Sequence, residues 1–88
     1  MLDETLLKIV EVRKRLKKVG RTHADKAASA SGFAAAAHHE ASRKKRSPKL
    51  LKAALTGLER SAEELEASHP KIAAAIVEIC RELSSLGI

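Results

Sequence analysis

The sequence predicts an all-α fold, a small bundle of three or four helices closed by a C-terminal helical hairpin, and three observations carry that prediction. The apolar residues are almost all Leu, Ile, Val and Ala, with Phe33 as the single aromatic side chain and neither Trp nor Tyr, a palette suited to helices. Those residues recur at alternating steps of three and four through most of the chain, the spacing that lines one helical face. Helix-boundary signals fall between the periodic stretches: Gly20, Ser47-Pro48 and Ser68-His69-Pro70. The 88 residues form one domain, 1–88, which buries a smaller fraction of its surface than a large one and has little stability to spare.

The first helix is expected over 2–19. Leu2, Leu6, Ile9, Leu16 and Val19 share a face that Leu7, Val10 and Val12 widen. Asp3 and Glu4 sit at its positive end and Lys17 and Lys18 at its negative end, as the helix dipole favours. Gly20 then stands where a left-handed cap is expected. The second helix, over 22–42 with Thr22 as its cap, is rich in alanine. Its shallow face of Ala27, Ala30, Phe33, Ala34 and Ala37 needs close neighbours to hold it.

A third helix starts at Ser47-Pro48, a serine to cap free amides and a proline fitted to the first helical position. Over 48–67, Leu51, Leu55, Leu58, Ala62 and Leu65 form a heptad seam, and over 70–86 Ile72, Ile76, Ile79, Leu83 and Leu86 form another. The phase survives across the His69-Pro70 pair, so two arrangements fit: one long helix kinked at Pro70, or two helices folded as a hairpin. Proline costs about 3 kcal/mol or more inside a helix and disfavours helical geometry at the residue before it. With Ser68 available as a cap, the hairpin is favoured. Because the two seams are the largest apolar surfaces in the sequence, they are expected to pack the bundle and to mediate a homo-oligomer as well.

The tail "LEASHPKIAAAIVEICRELSSLGI" resembles the C-terminal signature of a family of small bacterial proteins, the domain of unknown function number 4404. The matching residues are Glu66, Ser68, His69, Pro70, Ile72, Ala73, Ile76, Ile79, Leu83, Gly87 and Ile88. The opening "LDETLLKIVEVRKRL" is loosely similar to that family's first helix, whereas the basic "SRKKRSPK" and the alanine-rich middle depart from its more acidic centre. The resemblance implies a helical, cytoplasmic, bacterial protein and supplies no activity. It also suggests that Leu-Gly-Ile is a genuine terminus, where Gly87 can close the last helix and Ile88 can fold back onto it.

Composition narrows the function classes. One cysteine, Cys80, cannot form an internal disulfide, no apolar run reaches the roughly 18 to 20 residues of a membrane span, and the acidic start "MLDE" is unlike a secretory signal. A cytoplasmic setting follows. The net charge of +6 is polarised: residues 1–52 carry 14 Lys/Arg against 5 Asp/Glu, and residues 53–88 carry 3 against 6.

Four features could carry chemistry. His38-His39-Glu40 suggests metal, but adjacent helical side chains diverge by about 100° and cannot share an ion without a ligand from elsewhere, such as His23 or His69. Solvated polar residues are the plainer reading. His69 is read as a turn residue packing over the hairpin, and Cys80 as a small buried hydrophobe. No catalytic residue, metal site or cofactor is assigned, because no nucleophile elbow, phosphate loop or ligand frame is present. The fourth feature is a pair of basic runs: Arg13, Lys14, Arg15, Lys17, Lys18 and Arg21, then Arg43, Lys44, Lys45 and Arg46.

Clustered cations can neutralise phosphates, giving salt-sensitive, sequence-blind binding, yet no aromatic or amide set accompanies them to read bases. They serve equally as solvated faces, or pair with Glu59, Glu63, Glu64 and Glu66 of another helix or another subunit, and an acidic membrane surface or an acidic protein partner is a further alternative. The sequence therefore points to a non-enzymatic interaction or oligomerisation module, with a nucleic-acid-associated protein that binds phosphate backbones as the alternative.

Overall fold

Serine and proline set the helix boundaries in the second half of the chain. The computed structural model describes residues 2–86, and in it Ser47 accepts a hydrogen bond from the Leu50 amide at 3.3 Å while Pro48 occupies the first turn. This helix, α3, runs Pro48–Leu65, preceded by α1 (Leu2–Lys17) and α2 (Ala24–Ser42) and followed by α4 (Pro70–Ser84). The ends fall within two residues of the sequence expectation, the usual fraying of terminal turns. The expected docking of Gly87 and Ile88 lies outside the described residues.

The connections are short, and each helix packs on its successor while α1 closes on α4. The result is an up-and-down four-helix ring. Cross-helix contacts fix the antiparallel sense: Thr5 meets Glu82, Arg13 meets Ser31, and Cys80 lies against the Leu55 carbonyl. The alternative of one kinked helix from Ser47 to Leu86 is excluded by packing and by size. A straight helix of that length would extend almost 60 Å, whereas the longest dimension is 38 Å.

Three local expectations are corrected. Gly20 is extended (φ −64°, ψ 167°) and not left-handed, because α1 ends by tightening. The Lys18 and Val19 amides bond back to Arg15 and Leu16, and Gly20 then opens a 3₁₀ turn over Arg21–His23. That turn also displaces Thr22 as a cap, and α2 starts beyond His23 without a side-chain cap bond. At the hairpin the capping position belongs to His69, not Ser68. The His69 amide still closes α3 on Leu65 at 2.7 Å while its carbonyl accepts from Ala73 in α4 at 3.0 Å, so one residue serves both helices.

The core is a union of unequal faces. From α2 come only alanines, Ala27, Ala30, Ala34, Ala37 and Ala41, all buried, whereas α3 and α4 supply Leu51, Leu55, Leu58, Leu65, Ile72, Ile76, Ile79 and Leu83 and α1 adds Ile9, Val12 and Leu16. Phe33, expected on the buried face of α2, remains 39 % exposed. Its ring lies across Gly57 of α3, where a Cβ would stand 2.6 Å from Phe33 Cγ and closer still to Cδ1 and Cε1. Only a glycine leaves room for the ring there. Among the described residues no buried side-chain nitrogen or oxygen lacks a hydrogen-bond partner.

Leu58 is 1 % and Leu50 54 % exposed, which sets a graded expectation. Leu58→Ala should destabilise the protein by about 2–5 kcal/mol and Leu50→Ala by less than about 0.5 kcal/mol, measured by urea denaturation.

Candidate functional site

The residues that the heptad pattern offered as an oligomer face are already used inside the chain. Leu51, Leu55, Leu58, Leu65, Ile72, Ile76, Ile79 and Leu83 are buried, and Leu86 packs partly buried against the same cluster. Their packing role stands, but they are not at the surface to meet a second chain. The reason is geometric: once the hairpin forms, both seams turn inward together onto the alanine face of α2 and the apolar face of α1.

The two basic runs are not brought together. Arg13–Arg21 lies at the C-terminal end of α1 and Arg43–Arg46 in the α2–α3 turn, so α2 separates them by its 19 residues, about 28 Å of helix. Within the second run, two cations hold the fold. Arg43 Nη1 donates to both carboxylate oxygens of the buried Glu40 at 3.0 Å, and Arg46 Nε donates to the Ala41 carbonyl at 3.2 Å, satisfying the end of α2. Lys44 and Lys45 are exposed and carry no ion pair among the described residues. In the first run Arg13 reaches Ser31 and Lys14 reaches Glu11, while Arg15, Lys17, Lys18 and Arg21 are exposed.

The His38-His39-Glu40 group likewise does not assemble a metal site, and no cluster of three or more potential metal ligands occurs among the described residues. Glu40 is taken by Arg43, and His23 and His69 stand at the opposite end of α2. Those two rings instead meet each other edge to face, centroids 5.4 Å apart. His69 Nδ1 also lies 3.0 Å from Ser68 Oγ. This pair ties the α1–α2 connection to the α3–α4 turn, a long-range contact that no local spacing announces. Cys80 is 4 % exposed, and burial, with the Glu59 carboxylate adding to it, pushes its thiol up to about 11.

On the closing face, Lys8 Nζ donates to Glu78 at 2.9 Å and to Glu82 at 2.6 Å, and the Thr5 hydroxyl donates to Glu82 at 2.7 Å. These bonds hold Lys8 above its usual range and Glu82 below the usual carboxylate range. The cluster is solvent-accessible, so water screens it and it orients α1 on α4 more than it stabilises them. Glu82 helps folding above the ordinary carboxylate range, and that help is lost as pH falls through its lowered value.

Between α3 and α4 runs a groove of about 530 Å³, lined by Glu59, Glu63 and Glu66 from α3 and its C-terminal cap, by Arg81 of α4, and by the apolar Ala62, Ala73, Ala74 and Val77. Val77 is 44 % exposed. Facing solvent elsewhere, α1 presents Leu7, Val10, Lys14 and Lys17, all exposed and at spacings that share one face. The sequence reading recognised these carboxylates only as a charge cluster, because which helix supplies the apolar floor beside them depends on the hairpin. No family model, characterised protein or solved structure matches this chain, and no helix among the described residues is long and apolar enough to cross a membrane.

Two measurements check this description. Cys80 should react slowly with a thiol reagent at pH 8 in the native protein and completely in denaturant, and fast native labelling would contradict its burial. Glu82→Gln should flatten the fall of stability on the acid side, read as melting temperature against pH.

Proposed function

We propose that the protein is a non-enzymatic helical interaction module that associates with further copies of itself through oppositely charged exterior faces. The observation that carries this reading is the α3–α4 groove: three carboxylates, Glu59, Glu63 and Glu66, against the single cation Arg81, beside small apolar side chains, fit an amphipathic basic helix. The chain itself carries one, since α1 exposes Leu7 and Val10 in line with Lys14 and Lys17. Apolar contact would supply affinity and the charges would choose register and partner. Because ridge and groove are different surfaces, each copy could offer one to a neighbour and the other to the next, a heterologous association.

A cytoplasmic setting belongs to the same reading, supported by the lone buried thiol of Cys80. So does kinship with the bacterial domain of unknown function number 4404, supported by the Glu66 to Ile88 pattern. Binding of nucleic-acid backbones draws less support, because its two cationic runs stand at opposite ends of α2 and Arg43 and Arg46 are engaged in the fold.

Light scattering after size exclusion tests the reading. A species larger than the 9.5 kDa chain should appear at low salt and shrink at high salt. Replacing Glu59, Glu63 and Glu66 with Lys should give a monomer, and mixing that variant with a Lys14→Glu, Lys17→Glu chain should restore association. A monomer at every salt concentration refutes it.

A further inference from the structure

A second exterior feature is independent of the acidic groove. At the α2–α3 corner Phe33, Leu50 and Ala53 line a shallow groove, Leu50 being 54 % and Phe33 39 % exposed. Lys44 and Lys45 are exposed in the turn that joins α2 to α3, and Lys49 precedes Leu50 on the first turn of α3. The corner is held in shape from within. Arg43 is fastened to Glu40, Arg46 to the end of α2, and Ser47 to the Leu50 amide. The acid nearest the turn is thereby neutralised, and the lysines are left to face outward.

We propose that this corner is a peripheral docking surface for an anionic lipid bilayer. Lysines near a negatively charged leaflet are drawn to its headgroups. Leu50 and Phe33 supply the second requirement, apolar side chains that enter the boundary between headgroups and acyl chains. The pairing separates a bilayer from a nucleic acid. A phosphate backbone rewards the lysines but offers Leu50 nothing, and the ring of Phe33 has one face closed by Gly57, which leaves it poorly placed to stack between bases. Neither a lysine cluster nor an isolated exposed leucine would make this distinction alone. Glu64, exposed on the same side of α3 one end further up, restricts the contact to the turn end of the bundle.

Co-sedimentation with vesicles of phosphatidylglycerol and phosphatidylcholine, against vesicles of phosphatidylcholine alone, tests the proposal on the full chain. Binding should require the anionic lipid and weaken with salt. Lys44→Ala, Lys45→Ala and Lys49→Ala together should lower partitioning roughly hundredfold, and Leu50→Ser by roughly tenfold. These residues are exposed, so unchanged melting curves confirm that the variants are folded. Absence of binding to anionic vesicles overturns the proposal. So does binding to them that ignores Leu50→Ser while duplex DNA competes it away, an outcome that makes the corner a general polyanion surface.

Discussion

Everything in this structure depends on burying the Leu/Ile seams of α3 and α4 against a helix that brings almost nothing but methyl groups. A buried alanine removes little apolar surface from water compared with a leucine or isoleucine. With alanines as its only buried apolar residues, α2 is a close-fitting wall and not a source of cohesion. The cohesion comes from large side chains on the other three helices, which must converge on one small interior. That demand folds the chain back at His69-Pro70 and closes α1 onto α4. It also turns both seams inward within the one chain.

The exterior inherits its character from that division. Since the apolar residues with helical spacing are spent inside, what remains outside is charge, interrupted at a few places by Leu7, Val10, Phe33, Leu50 and Val77. Antiparallel packing then distributes the charge in a way that the linear order conceals. The basic runs go to opposite ends, and the acidic stretch of α3 comes to border an apolar groove made with α4. Interaction surfaces on such a molecule are combinations of neighbouring helices, so the α3–α4 groove and the α2–α3 corner exist only once the bundle is closed.

How much could be read beforehand follows from range. Elements with strong local signals were legible: the Ser47-Pro48 start of α3, the period of Leu51 to Leu65, and the break before Pro70. A glycine after a helix suggests a left-handed cap, whereas at Gly20 the last turn tightens and the chain proceeds extended into a 3₁₀ turn. Helical spacing puts Phe33 on the alanine face of α2. Its actual seat depends on Gly57 in the next helix, information that no window around Phe33 contains. The meeting of His23 with His69 has the same tertiary origin, whereas the engagement of Arg43 by Glu40 is a local i,i+3 pair that the basic run disguises. The two seams pack the bundle as their spacing predicts, but a heptad seam looks the same whether its partner is in the same chain or another.

That ambiguity makes the hairpin the claim to test most directly. Spin labels on cysteines replacing the exposed Lys52 and Ser84, in a chain whose Cys80 is replaced by Ala and diluted with unlabelled protein, report the intramolecular distance by pulsed electron resonance. Helices packed side by side have axes roughly 10 Å apart, so the fold described here predicts a short distance. A continuous helix through Pro70 would separate the two positions by about 48 Å. A distribution centred there would mean that the seams join different chains, and it would contradict the account.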